Sequence, residues 1–211
     1  LTFTSANWNT PQTVTVTGAD DNLLDGTQTS TFTISVVDGS SVDQFDSVAD
    51  QTVSGTTVDN DSAGFTVAEI SGTSVSESGT TDTFTVVLGA QPTNNVVIAI
   101  TSSDTGEATV NSPLTFTSAN WNTPQTVTVT GVDDNIIDGT ITSTLTISVV
   151  DAVSDDDFDG VANQTVSATT TDNDVAGFTI VQSSGSTSVS ESGTTDTFTV
   201  VLNAQPASNV V

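Results

Sequence analysis

The sequence predicts an all-β chain built from tandem seven-stranded antiparallel β-sandwiches. Three observations carry that expectation. Hydroxyl and apolar side chains alternate with period two, as where Thr126, Thr128 and Thr130 flank Val127 and Val129; that is the pattern of a strand with one buried face. Nothing recurs at the 3.6-residue spacing of a helix. The chain also repeats itself: residues 1–61 return at 114–174 with 48 of 61 positions identical, and SVSESGTTDTFTVVL stands at both Ser74–Leu88 and Ser188–Leu202. A period near 113 residues is too long for a solenoid coil and suits one whole sandwich per repeat.

The period divides the chain into the C-terminal half of a repeat at 1–61, a complete repeat at 62–174 and the N-terminal half of a further repeat at 175–211. In the complete repeat the first strand is expected at Phe65–Glu69, resuming at Thr73–Val75. The second to seventh follow at Thr83–Leu88, Asn95–Thr101, Leu114–Thr117, Gln125–Thr130, Thr142–Val150 and Gln164–Thr171. Each carries the period-two alternation, with Phe65, Phe84, Phe116 and Val127 as core candidates. Trp121 and its copy Trp8 lie in SANWN turns and read as lids over the core. Ile98–Pro113, a stretch of 16 residues, has no second copy. Two arrangements account for such a phase: a segment of a longer tandem protein, which is the preferred expectation, or subunits whose half-domains complete each other along a homopolymeric fibre. Either way the expected partners are neighbouring repeats of the same protein.

Composition bounds the chemistry. The 211 residues include 26 Asp and Glu and no Lys, Arg, His, Cys or Tyr. Acid–base work near neutral pH, thiolate or amine nucleophiles and arginine clamps are therefore unavailable; carboxylate pairs, as in a glycosidase, and Ser/Thr hydroxyls are the catalytic candidates that remain. The expectation is that the chain is not an enzyme. Nucleic acid is not an expected partner, because no cation can neutralise phosphates, and no apolar run is long enough for membrane insertion as a helix. No carboxylate here can pair with a cationic side chain. Two of them about 6 Å apart repel by roughly 0.7 kcal/mol in bulk water and by several-fold more where water is partly excluded.

The acids gather at one end of the repeat. Antiparallel strands alternate in direction, so the loops after the odd-numbered strands share a tip. Those loops are SESGTTD with Glu77 and Asp82, SSDTGE with Asp104 and Glu107, DDNIIDG with Asp133, Asp134 and Asp138, and TDND with Asp172 and Asp174. Asp does favour turns, which explains single residues more easily than four converging loops. A hard divalent cation taking six to eight oxygens suits such a site, calcium better than magnesium, whereas zinc prefers His or Cys. At the opposite end, Asp155-x-Asp157-x-Asp159-Gly160 is similar to the opening of an EF-hand loop, without the Glu at its twelfth position.

The segments SVSESGTTDTFTVVL, LTFTSANWNTPQTVTVTGVDDN and TTTDND resemble the Calx-beta family, whose immunoglobulin-like sandwich repeats occur in sodium/calcium exchangers, integrin subunits and large bacterial surface proteins. The resemblance implies calcium at the tip, held in the complete repeat by Glu77, Asp104, Asp133, Asp134, Asp172 and Asp174. It offers Asp20, Asp21, Asp59 and Asp61 in the first partial repeat and Glu191 in the last. Asp138 and its copy Asp25 are the thinner continuation of the acidic run. An extracellular, cell-surface protein is implied, with calcium stiffening the repeats into a stalk, sheath or filament. The alternative expectation is an adhesive module recognising glycan, ice or a partner protein through its loops or a Thr-rich face.

Overall fold

The computed structural model describes residues 1–69 and 72–211. The chain separates into two compact units, Leu1–Ser62 and Ala63–Val211. The second unit holds residues 63–174 together with the segment 175–211.

In the first unit, β1 (Gln28–Ile34) pairs antiparallel with β2 (Gln51–Thr57), placing Phe32 opposite Val53. In the second, nine strands make the sandwich of the complete repeat: β3 (Phe65–Ala68), β4 (Thr73–Ser76), β5 (Thr81–Leu88), β6 (Val96–Ser102), β7 (Ala108–Val110), β8 (Leu114–Phe116), β9 (Gln125–Gly131), β10 (Ile141–Val149) and β11 (Gln164–Thr171). One sheet has the order β3-β5-β9-β7 and the other β4-β11-β10-β6-β8. Two further strands, β12 (Phe178–Gln182) and β13 (Phe198–Leu202), pair antiparallel in the segment beyond.

The all-β sandwich is thus as expected, and the strand count differs for two reasons. The first expected strand crosses between the sheets. Its front part pairs with β5, and its resumption runs parallel to β11, so the second sheet is not wholly antiparallel. Ile70 and Ser71 fall outside the described residues. The second reason is β7, three residues whose alternation is too short to read but whose pairing with β9 is plain, Thr109 facing Thr130.

The core lies between the sheets, where alternate residues point inward. Phe84, Val86, Val127 and Val129 meet Ile98, Ile100, Leu145 and Ile147, all fully or almost fully buried. Each such side chain contributes about 1.5–3 kcal/mol by leaving water. Trp121 is half-buried, and its carbonyl accepts the Leu88 N–H at 3.1 Å, in keeping with a lid. Close packing at the tip depends on Gly131, where a Cβ would stand 2.1 Å from the Ser76 carbonyl oxygen. No side chain fits there, and that approach seats the turn after β4 against the end of β9.

Candidate metal centre

Four chain segments deliver acids to the tip, each held by backbone pairing that continues past its strand. Glu77 N–H donates to the Thr171 carbonyl at 3.1 Å, extending the parallel β4–β11 pair. Val132 N–H donates to the Glu107 carbonyl at 2.9 Å, extending β7–β9. The loop after β9 is closed by Asp172, whose Oδ2 accepts Asp138 N–H (3.1 Å) and Gly139 N–H (2.8 Å). Asn173 completes the frame, donating its N–H to Glu77 Oε2 and its Nδ2 to Asp133 Oδ1, both at 3.0 Å.

Two groups of carboxylates result. Glu77, Glu107 and Asp138 bring one oxygen each within 4.8 Å of one another, and so do Glu77, Asp172 and Asp174. Glu77 belongs to both. Oxygens lying about 2.3–2.6 Å from one calcium ion can be no farther apart than roughly twice that, so the spacing suits a shared ion.

Burial gives the groups their force. Glu77 is 1% exposed and Glu107 6% exposed. Glu107 Oε2 and Asp174 Oδ2 are buried with no hydrogen-bond partner among the described residues. A carboxylate oxygen removed from water without a donor is costly, and each such group calls for an explanation. The Asn173 N–H lowers the Glu77 carboxyl, but burial and the charges of Asp172, Asp134 and Asp138 outweigh it and hold it above its ordinary value. Burial, then Asp138, Glu77, Asp104 and Asp134, raise Glu107. Burial first, then Asp172 and three other aspartates, raise Asp174. Asp172 moves the other way: the N–H groups of Gly139 and Asp174, and then Asp138, stabilise its charged form beyond the cost of burial.

The expected residues divide accordingly. Glu77, Asp138, Asp172 and Asp174 converge. Asp133 is exposed beside them, and Asp134 is half-buried with its Oδ1 accepting the Ile136 N–H at 2.6 Å. Asp104 is exposed, its Oδ1 accepts Gly106 N–H at 3.0 Å, and it lies outside both groups. Glu107 of the same loop takes the inward place. Asp82 sits within β5 and accepts Ser74 N–H, away from the groups. The turns at Asp104 and Asp134 are ordinary carboxylate-to-backbone turns that Asp forms without any metal.

In the first unit the same local frame recurs without its glutamates. Asp59 Oδ2 accepts Asp25 N–H (3.0 Å) and Gly26 N–H (2.8 Å), Asn60 Nδ2 donates to Asp20 Oδ1, and Asp61 N–H donates to Asp59 Oδ1. Asp21 Oδ1 accepts Leu23 N–H. The Asp59 carboxyl is lowered by the N–H groups of Asp61 and Gly26, while Asp61 is raised by burial and then by Asp59, Asp20, Asp21 and Asp25. Glu191 is exposed on its turn and belongs to neither group.

The EF-hand-like run at the opposite end has another use. Asp155 is buried, with Oδ2 accepting Thr93 Oγ1–H (2.8 Å) and Asn94 N–H (2.7 Å) and Oδ1 accepting Asp157 N–H. These donors outweigh burial and lower its carboxyl. Both oxygens are engaged by the protein, so this carboxylate bolts two loops together.

No family model matches the chain, and no curated protein matches it. Among solved structures, the nematode protein SSP-19, an MSP-domain-like protein of Caenorhabditis elegans, is 18% identical with a TM-score of 0.32, covering 48% of this chain and 92% of that one. Domains 1–6 of the surface layer protein SbsC give 19% identity and a TM-score of 0.36, over 72% of this chain and 23% of that one. A chaperone–tip adhesin complex of CFA/I fimbriae gives 10% identity and a TM-score of 0.35, over 67% of each. These likenesses say nothing of what the chain binds, and the Calx-beta resemblance rests on the residues that carry it.

Proposed function

We propose that this chain is a calcium-stiffened structural repeat of an extracellular surface protein, part of a stalk, sheath or filament. The observation that carries this reading is the pair of buried, partnerless oxygens on Glu107 and Asp174, converging with Glu77 in a chain that has no cationic side chain to meet them. A bound calcium would supply the missing positive charge, and modules that work at extracellular calcium levels bind in the ~10⁻⁴–10⁻³ M range.

Stiffening has a route in the fold. The loop between Asp134 and Asp138 also touches the following segment: Gln205 N–H donates to the Asn135 carbonyl at 2.6 Å, and Ile136 bridges Gln205 in parallel. Ile137 joins Phe178, Leu202, Pro206 and Val210 around an apolar recess. Ordering this loop by metal at its Asp138 end would hold the next repeat. Thermal unfolding with 2 mM calcium against chelator tests the reading. The expected result is a melting midpoint a few degrees higher with calcium, since a ligand at about 2–20 times its Kd adds roughly 0.6–1.8 kcal/mol. An unchanged midpoint overturns the reading.

The adhesive alternative has one observation in its favour: uncharged hydroxyls face one another on the outer side of the first sheet, Thr83 against Thr128, Thr85 against Thr126 and Thr81 against Thr130. Binding of glycan arrays or ice by the chain in chelator would favour it.

A further inference from the structure

Four Asp-Gly pairs occur in the chain: Asp25-Gly26, Asp38-Gly39, Asp138-Gly139 and Asp159-Gly160. An aspartyl carboxyl followed by glycine is chemically vulnerable, because glycine has no Cβ to shield its backbone nitrogen from the side chain before it. The structure sorts the four into two kinds. Gly139 N–H donates to Asp172 Oδ2 at 2.8 Å, and Asp138 N–H donates to the same oxygen at 3.1 Å. Asp59 Oδ2 accepts Gly26 N–H (2.8 Å) and Asp25 N–H (3.0 Å) in the same way. The other two pairs lie in the loop between β1 and β2 and in the loop between β10 and β11. Among the described residues neither Gly39 N–H nor Gly160 N–H meets an acceptor.

We propose that Asp159 and Asp38 are sites of spontaneous isoaspartate formation, and that Asp172 and Asp59 hold Asp138 and Asp25 out of the same reaction. The Gly160 nitrogen attacks Asp159 Cγ, a C–N bond forms, and the carboxyl OH leaves with the amide proton as water. Water then opens the five-membered imide. Opening at the side-chain carbonyl restores Asp, whereas opening at the main-chain carbonyl routes the backbone through Cβ and Cγ. No oxidant or other reactant enters. To reach Cγ, the peptide after Asp159 must rotate. Asp159 stands at φ −57° and ψ −32°, the first corner of a type I turn closed by Val161 N–H on the Phe158 carbonyl at 3.1 Å. That bond resists the rotation, but nothing holds the Gly160 N–H itself, and both residues are exposed. Burial, then the charges of Asp151, Asp156 and Asp155, raise the Asp159 carboxyl and so enlarge the neutral fraction that can lose water. At Asp138 the same rotation must break the bonds to Asp172.

The repeats supply controls. Asp46 copies Asp159 in a like turn, at φ −62° and ψ −27° with Val48 N–H on the Phe45 carbonyl at 3.0 Å, but Ser47 replaces the glycine. Asp151 copies Asp38, with Ala152 after it. Ser40 N–H closes the turn at Asp38 on the Val37 carbonyl (2.9 Å), and Val153 N–H closes that at Asp151 on the Val150 carbonyl (3.1 Å). The backbone is alike within each pair, and only the side chain beside the attacking nitrogen differs. Isoaspartate at 159 adds a backbone carbon to the turn that carries the fully buried Phe158. This end of the sandwich therefore ages while the tip keeps its carboxylates.

Ageing the folded chain for several weeks in neutral buffer with chelator tests the proposal. Electron-transfer fragmentation of chymotryptic peptides distinguishes isoaspartate from Asp at each position. Isoaspartate is expected at Asp159 and Asp38, several-fold above Asp138, Asp25, Asp46 and Asp151. In denaturant the four Asp-Gly pairs are expected to react alike, since the bonds to Asp172 and Asp59 are gone. Gly160→Ala, whose Cβ meets nothing within 4 Å, is expected to bring Asp159 down to the level of Asp151 and to leave Asp38 unchanged. As much isoaspartate at Asp138 as at Asp159 in the folded chain overturns the proposal. So does an Asp159 no faster than Asp46, or the folded ranking of the four pairs persisting in denaturant.

Discussion

Glu107 and Asp104 sit three residues apart in one loop, and only one of them faces the other acids. The sequence marks both as tip residues because the loop is acidic; the choice between them depends on β7, whose pairing with β9 turns Glu107 inward beside Glu77. Three residues of strand carry too little alternation to reveal that. Substitution separates the two. Glu107→Gln is expected to raise the melting midpoint in chelator, because it removes a buried charge among like charges, and to diminish the gain from calcium. Asp104→Asn is expected to move either midpoint little, as surface changes stay within about 0.5 kcal/mol. Equal effects of the two variants would refute the inward role of Glu107. The pH dependence follows from the same groups. Glu77, Glu107 and Asp174 are raised above their ordinary values, so the metal-free folded state binds more protons than the unfolded chain does. Their favourable contribution is complete below the unfolded carboxylate range near 4 and is lost as pH rises through the raised values. Asp172 and Asp155 are lowered, and their contribution is lost only at pH below that range. In chelator the midpoint is therefore expected to rise as pH falls through the raised values towards the ordinary carboxylate range. With calcium the trend reverses, because protons and metal compete for the same oxygens. A midpoint that falls with acid in both conditions contradicts the electrostatics of the tip.

At the scale of elements, one 18-residue sequence has two fates. LTFTSANWNTPQTVTVTG forms β8 and all of β9 at 114–131, but no strand at 1–18. The alternation is identical, so propensity does not decide; β9 has β5 and β7 on either side, and the first unit holds no copy of them. Strand formation is mainly a matter of packing and neighbours. The copy of β4 around Ser188 is likewise not a strand, lacking a copy of β11 beside it. Most strands of the complete repeat were legible because their partners are present, with ends within two residues of expectation. The crossing of the first strand between sheets and the parallel β4–β11 pair were not, since alternation carries no information about which neighbour a strand takes. The same contrast predicts unequal costs for equal substitutions. Phe84→Ala is expected to destabilise the complete repeat by about 3–5 kcal/mol, as a fully packed ring is replaced by a cavity. Phe198→Ala, in the same FTVVL sequence, is expected to leave the main unfolding transition nearly unchanged, because its ring is 57% exposed. Denaturant melts of the two variants measure the difference, and equal losses would show that the β12–β13 face is packed in the chain alone.

Across the whole molecule the net charge of −26 combines two kinds of repulsion that respond to different ions. Acids spread over loops and units act through water, and salt screens them over a Debye length of about 8 Å at physiological ionic strength. The acids at the tip are closer than that, partly out of water, and arranged so that one ion can touch several of them. Monovalent salt lowers the first kind and hardly reaches the second, because sodium offers a single charge and screens a buried pair poorly. Calcium at millimolar levels contributes almost nothing to ionic strength and acts on the second kind alone. Thermal melts should therefore show two additive steps: a gradual rise with sodium chloride up to 0.5 M, and a saturable rise with calcium that persists in that salt. Magnesium, which holds its water and demands a tighter octahedral shell, should give a smaller step at equal concentration. If 0.5 M sodium chloride in chelator reproduces the whole effect of 2 mM calcium, the charge of this chain is a diffuse property and the converging carboxylates of its tip hold no ion.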